Sequence, residues 1–398
     1  MFLERFYVFL EQKMQKNLHI SKKKSTFAQN FKNMYSEVLR IIEGGLHNDV
    51  RKIVNYSQRL ATHFESDGDS SMAKSIYETL ERNRANLATM DQYMNLPVDT
   101  DSRLQMVEVV PPIADRTQIV LEDLVDKQVS NFIDLVNRRT ELLNAGVDIK
   151  LSMLLHGAPG CGKTSIAHYI SEKTGLPLLV VRLDSLVSSL LGSTAKNIRK
   201  IFEFAEGRPC ILFLDEFDAI AKARDDVHEL GELKRVINSL LQNIDSMSPD
   251  SVLMAATNHA ELLDKAVWRR FQTTIEIGNP SNEIKQKILE TQIGDFPCEF
   301  ISDNKQLGQL AALLEKDSPA NMHTIINKAK AKSVLKGQNV LTYPDVVIEI
   351  FNYTQREISL ESLVQYMSNA GIPQTTISHE LNISLRQVKQ IMNKSTQL

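Results

Sequence analysis

The stretch Leu151 to Thr164, LSMLLHGAPGCGKT, restricts the folds open to this chain more than any other. Its centre, Met153 to Leu155, is apolar without alternation, so Ser152 to His156 is expected as a buried strand of a parallel sheet. The run then enters a glycine-rich loop. Gly157, Ala158, Pro159, Gly160, Cys161, Gly162, Lys163 and Thr164 fit the pattern G-x-x-x-x-G-K-[ST], in which the glycines let successive N–H groups converge on an anion. Lys163 is placed to reach β and γ phosphates, and Thr164 to offer its hydroxyl to Mg²⁺. With Ser165 in its first turn, the helix expected from Thr164 to Ser171 presents a terminus that favours negative charge. A glycine-rich turn matching by chance would need neither the apolar strand before it nor the helix-forming SIAHYISEK after it.

At 398 residues the chain has room for two or three domains, and 42% hydrophobic with 24% charged residues describes a globular protein with real cores. The net charge of −3 gives no global attraction to nucleic acid, so any such contact must be local. Cys161, Cys210 and Cys298 are too scattered for a disulfide framework or a zinc site, which suits a reducing cytoplasm. Met1 to Leu10 is apolar and aromatic, but Glu4, Arg5 and Glu11 break it up and no cleavage pattern follows. Residues 1–25 are therefore expected as an amphipathic leader that is neither signal nor membrane span, with Lys22 to Lys24 a solvated basic run.

Residues 26–94 carry helical periodicity. Phe27, Phe31, Met34, Val38, Ile41 and Ile42 mark a first helix stopped at Gly44-Gly45; a second runs from about Asn48 to Glu65 and a third follows Asp67-Gly68-Asp69. Short connections make this a small helical bundle, an adaptor for a partner on architecture alone. Residues 95–117, with three prolines, read as an ordered linker. Beyond it, Ile119 to Asn144 reads as a strand end followed by one helix, Val125 to Leu143.

Further strands follow the loop. Pro177 to Val181 is one. A break at Gly192-Ser193-Thr194 precedes a helix containing Ile198, Ile201 and Phe202. Cys210 to Leu214 is a wholly apolar strand ending in Asp215-Glu216, and two acids at the end of a buried strand are expensive to place without purpose. Mechanically, Asp215 would hold the Mg²⁺ hydration shell and Glu216 would orient the water attacking the γ phosphate; a mere helix cap is the plainer use of the pair. Val252 to Ala256 is another buried strand, leading to Thr257-Asn258, where an amide can position water. Arg269-Arg270 follow on an exposed turn suited to completing a neighbour's phosphate site.

GAPGCGKT, ILFLDEFDAIAKARDD, GELKRVINSLLQNIDS, AATN and LLDKAVWRRF, in that order, resemble a AAA+ ATPase of the AAA clade, the group of spastin-like, proteasomal and FtsH-like motors. The resemblance covers about Gln118 to Phe351. It implies a P-loop α/β subdomain over 118–278, a helical lid over 279–352, ATP with Mg²⁺, and the Walker B roles for Asp215 and Glu216. It further implies the sensor role for Asn258, and arginine fingers Arg269 and Arg270 acting on the adjacent subunit of a homo-oligomer, usually a hexamer. Two positions depart from the clade's pattern. Leu190, followed by Leu191, stands where pore loop 1 carries an aromatic, which weakens the grip on a threaded polypeptide. Asp317 to Lys328 lacks a sensor 2 arginine, as clade members commonly do.

Residues 353–398 are expected as a helix-turn-helix-like tail: an apolar helix, then Gln374 to Leu381, a turn at Asn382 to Ser384, and Leu385 to Met392. Arg386, Gln387, Lys389 and Gln390 on the last helix suit base edges and phosphates, although the same helices could serve as a protein-docking module. The whole reads as an oligomeric ATPase that remodels or regulates a macromolecular partner. The order of bundle, single ATPase module and tail is similar to prokaryotic antiviral-defence or plasmid-maintenance ATPases found beside a subtilisin-like protease. Two alternatives stand: a DNA-associated ATPase switch working through the tail, and a slow nucleotide-binding scaffold that restrains its partner.

Overall fold

The computed structural model describes residues 36–43, 45, 50–66, 69–82, 96–99, 103, 105–112, 118–147, 149–183, 191–219, 230–248, 251–354 and 359–395. The expected leader, the expected first-helix residues 27–34 and Leu190 lie outside them. The chain divides into two units, Met1–Asn95 and Leu96–Leu398.

In the first unit residues 36–43 are helical, followed by α1 (Val50–Ser66) and α2 (Ser70–Arg82). The Asp69 carboxylate accepts from Met72 N at 3.2 Å and so starts α2. Phe64 and Ala73 are buried with Leu60, Met72, Ile76 and Tyr77 around them, the stripe that the 3.6-residue period sets. Glu37, 7% exposed, meets His63 at 3.2 Å; burial pushes its carboxyl up, and His63 opposes that.

The second unit is built on a six-stranded sheet: β1 (Glu108–Val110), β2 (Ser152–His156), β3 (Leu178–Arg182), β4 (Ile211–Asp215), β5 (Val252–Thr257) and β6 (Thr273–Glu276). Their order is β1-β3-β4-β5-β2-β6, all neighbours parallel except the antiparallel β1. The strands β2, β4 and β5 have unbroken apolar centres, residues 153–155, 211–214 and 252–256, because a parallel sheet is covered on both faces. Helices α3 (Asp123–Asn137), α4 (Arg139–Asn144), α5 (Lys163–Thr174), α6 (Leu191–Ala205) and α7 (Leu230–Ser246) accompany them. Val129 and Phe132 of α3 join Ile166 and Ile170 of α5 on Met153, Phe213 and Met254.

Three local expectations change. The ordered linker contains β1, a strand held to three residues at the sheet edge because Pro111 and Pro112 lack the N–H that a ladder needs. The single helix Val125 to Leu143 is two, broken at Arg138 (φ −101°, ψ 18°), and residues 118–122 form no strand. Gly192, Ser193 and Thr194 form no break but lie within α6, whose packing along Ile198, Ile201 and Phe202 overrides their weak helix propensity.

A short helix α8 (Lys265–Trp268) precedes β6, and four lid helices follow: α9 (Asn282–Ile293), α10 (Asn304–Leu313), α11 (Pro319–Leu335) and α12 (Tyr343–Thr354). Ser281, Asp303 and Ser318 cap α9, α10 and α11 through their side chains. The tail supplies α13 (Leu360–Asn369), α14 (Gln374–Glu380) and α15 (Leu385–Ser395). Among its described residues it has no core separate from the lid's. Val364, Met367, Ile372, Ile377 and Val388 are buried in one cluster with Leu310, Ile325, Val346 and Ile350 of the lid. Tyr343 donates its hydroxyl to Ala370 O at 2.8 Å, and the Lys336 ammonium sits between Asp345 (2.8 Å) and Glu380 (3.4 Å). An apolar stripe specifies that a helix is covered, not which helix covers it, so the boundary placed at 352/353 separates residues that share a core.

Candidate nucleotide site

In an open parallel sheet, ligands bind beyond the carboxyl ends of the strands, and here three such ends converge. β2 runs into the loop Gly157 to Gly162, β4 ends at Asp215 with Glu216 next, and β5 ends at Thr257 with Asn258 next. Lys163, 7% exposed, donates its ammonium to Gly157 O at 2.7 Å and Ala158 O at 2.9 Å. Burial pulls it below the ordinary lysine value, while Cys161, Asp215 and Asp218 pull the other way. Burial pushes the Cys161 thiol up, against Lys163 and Lys285, so Cys161 serves as a small packing residue donating to Asn279 Oδ1 at 3.3 Å. Ala158, Pro159, Gly160 and Ser165 are exposed along the loop and first turn.

Thr164 Oγ1 donates to Asp215 Oδ2 at 3.2 Å, and Asp215 Oδ1 accepts from Glu216 N at 2.9 Å. A hydroxyl and one carboxylate are hard oxygen donors suited to Mg²⁺, which takes its remaining ligands from phosphate and water. Glu216 is exposed and has φ of +54°, a left-handed conformation that costs a residue with a Cβ about 1–2 kcal/mol. Strain of this kind persists where the surroundings dictate it and gathers at functional sites. Phe217 N bonds to Ala256 O at 2.8 Å and Ala219 N to Glu216 O at 2.9 Å, which fixes the backbone on both sides.

Asp218 escaped the sequence reading. It is 3% exposed, and its Oδ1 accepts from Thr257 Oγ1 at 3.0 Å and from Asn258 N at 3.2 Å. One buried carboxylate thus joins the tips of β4 and β5, the two strands bearing Glu216 and Asn258. The only signal was a third acid, in D-E-F-D, which sequence alone cannot distinguish from a helix cap.

The two arginines are not equivalent. Arg269 is exposed at the end of α8. Arg270 folds back, donating to Ala266 O at 2.6 Å and Asp245 Oδ2 at 2.9 Å, so the shared exposed turn of the sequence reading holds for Arg269 alone. Ser152 Oγ donates to Arg270 O at 3.1 Å and accepts from Gln272 N at 2.9 Å, fastening this turn to the start of the loop's own strand. Leu191 opens α6, while its pore-loop neighbour Leu190 is outside the described residues. At the tail, Arg386, Lys389 and Gln390 are exposed on α15, but the Gln387 amide oxygen caps Ser384, accepting from its N and Oγ at 2.9 Å.

A cleft of about 450 Å³ opens beside Cys161, between Val120 and Leu121 ahead of α3 and Ile284 and Ile288 of the lid. The lid also touches the loop, with Ala320 N bonding to Gly160 O at 3.1 Å.

A phosphate-cradling loop on a central parallel strand, with acids at the tip of β4, defines a P-loop nucleoside triphosphatase. Residues 153–279 match the ATPase family associated with various cellular activities (AAA). Over 260 residues the chain is 36% identical to an uncharacterized AAA family ATPase, y4kL, of Sinorhizobium fredii, covering 64% of this chain and 77% of that one. It is 30% identical over 260 residues to proteasome-activating nucleotidase 2 of Haloferax volcanii, covering 62% and 61%. To the ATP-dependent zinc metalloprotease FtsH of Metamycoplasma arthritidis it is 31% identical over 229 residues, covering 56% and 30%. The chain belongs to the AAA family, and it is an ATP-binding ATP hydrolase. Among the described residues no helix is long and apolar enough to cross a membrane.

Proposed function

We propose that this chain hydrolyses ATP as a subunit of a ring, usually a hexamer in this family, and uses the cycle to remodel a protein partner. The observation that carries the reading is the junction of Thr164, Asp215, Glu216 and Asn258 at three adjacent strand ends. The loop amides and Lys163 would bind the phosphates, and the apolar cleft by Val120, Leu121 and Ile288 would take the base. Thr164 and Asp215 would hold Mg²⁺, which when bound neutralises charge developing on the phosphates. Glu216 would orient the attacking water, with Asn258 fixing its position. Arg269, exposed and unburdened by the bonds that hold Arg270, would reach into the neighbour's site. The test is phosphate release by wild type, Glu216→Gln and Arg269→Ala; unchanged rates in either variant would remove the assigned role.

The names of relatives, a proteasome activator and a protease, support a protein as the partner; a cytoplasmic setting beside a subtilisin-like protease in a defence or plasmid-maintenance system rests on module order. What co-purifies with Glu216→Gln in ATP would test that. The DNA-switch reading has one observation in its favour, the exposed Arg386, Lys389 and Gln390 on a helix held by a four-residue turn. Because the tail completes the lid's core, it is tested by Arg386→Ala with Lys389→Ala in duplex binding at two salt concentrations, not by truncation.

A further inference from the structure

The residues flanking the arginine pair both rest on the nucleotide loops of their own subunit. Trp268, just before Arg269, meets His156, the last strand residue before Gly157, edge to face with centroids 5.1 Å apart and planes at 76°. Phe271, just after Arg270, meets Phe217, the residue after Glu216, at 5.9 Å and 85°. Edge-to-face pairs have a preferred geometry, so each contact fixes direction as well as distance. Phe217 and Phe271 are 1% and 5% exposed, and Trp268 and His156 are half-buried. α8 is only four residues long. The Asp264 cap on Ala266 N, the buried Val267 and the Arg270 and Ser152 bonds hold its backbone, and the two ring pairs are what tie it to His156 and Phe217 beside the nucleotide loops.

We propose that these two aromatic pairs form a clamp that sets Arg269 according to the state of its own subunit's nucleotide loop, so that each site reports to the next. Trp268 and Phe271 are positioning residues. A shift of the loop at Gly157 moves His156, and a shift at Glu216 moves Phe217; either is passed to the arginine turn through a ring contact. This rests on the reading that Arg269 acts on a neighbouring subunit.

The clamp makes a defect in Trp268 appear in the neighbour. Trp268→Leu keeps an apolar side chain, though a smaller one, and removes the ring contact. Its kcat should fall on the order of 10- to 100-fold, as misplacement of a catalytic group does. Its affinity for a fluorescent ATP analogue should stay within about twofold, since its own phosphate loop is intact. Trp268→Phe should restore most of the rate. In oligomers mixed with Glu216→Gln, Trp268→Leu should regain activity, because its intact site then receives arginines from a neighbour with a sound clamp. Arg269→Ala mixed with Glu216→Gln is the reference. If that mixture fails to recover, arginine action between subunits is refuted; if it recovers and the Trp268→Leu mixture does not, the clamp alone is refuted. Trp268→Met carries the same expectations should the Leu variant not fold.

Discussion

The two glycines that bracket the first turn of the phosphate loop differ in what surrounds them, and that difference predicts an order of damage. At Gly157, φ is +135°, and a Cβ would lie 2.2 Å from Ile277 O and 2.9 Å from Ile277 C. That backbone cannot retreat, because Ile277 N is bonded to His156 O at 2.7 Å. At Gly160, φ is +75°, and a Cβ would meet Ser318 Oγ at 2.6 Å, a side-chain end that can rotate. Each alanine meets about 1–2 kcal/mol of backbone strain. Gly157→Ala adds about 1–3 kcal/mol for overpacking against main chain. At about 2–4 °C per kcal/mol, Gly157→Ala should lower Tm by roughly 4–20 °C and Gly160→Ala by roughly 2–8 °C. Gly160→Ala should instead weaken ATP binding out of proportion to its stability, since it pushes Ser318 and the lid off the loop. Adding Ser318→Gly, which costs the α11 cap only a few tenths of a kcal/mol, should restore binding. Differential scanning fluorimetry with and without ATP reads both effects. Equal Tm losses, or the larger loss at Gly160, would refute the packing of Ile277 against the loop.

Other outcomes follow from the same geometry. Arg269→Ala should leave the unfolding free energy within about 0.5 kcal/mol of wild type in denaturant titration, as exposed positions do, whereas Arg270→Ala should cost about 1 kcal/mol for its bonds to Ala266 and Asp245. Asp218→Ala should lower kcat about tenfold or more with little change in ATP affinity, because it releases Asn258 and not the phosphate loop. Tyr343→Phe should destabilise the second unit by about 1–2 kcal/mol in denaturant titration, leaving the Ala370 carbonyl buried without its donor. Burial holds His156 below the ordinary value of 6.5, with Glu276 opposing and Lys163 reinforcing. The unfolded chain therefore binds the proton first, so this contribution to stability is full above 6.5 and is lost as pH falls from there to the folded value. His156→Gln should show a smaller Tm loss than wild type between about pH 7 and about pH 5.

How much was legible depends on the range of the cause. Ser152 to His156, Lys163, Asp215 and Glu216 announce themselves because each is dictated by neighbours in the chain: an apolar run for a strand covered on both faces, glycines for the turn, acids at a strand end. The lid is implied by the family resemblance, and its helices α9, α10 and α11 start at the side-chain caps Ser281, Asp303 and Ser318. β1 escaped because three residues followed by prolines carry no period, and a strand at the edge is made by its partner β3 rather than by its own sequence.

What only the tertiary structure decided is which residues meet across distance in the chain. Asp218 bonds to Thr257 and Asn258, Arg270 to Asp245, and Trp268 packs on His156, none of which any spacing encodes. The tail's apolar stripes promised a core and left its owner open; the structure gave them to the lid. The physical reason is the same throughout. Hydrophobic burial and periodicity are blind to partner, whereas a hydrogen bond or ring contact requires two named groups at one distance and angle. The sequence by itself determined that this chain cradles phosphate at the end of a parallel strand, and the packing decided which arginine is left exposed and what holds it in place.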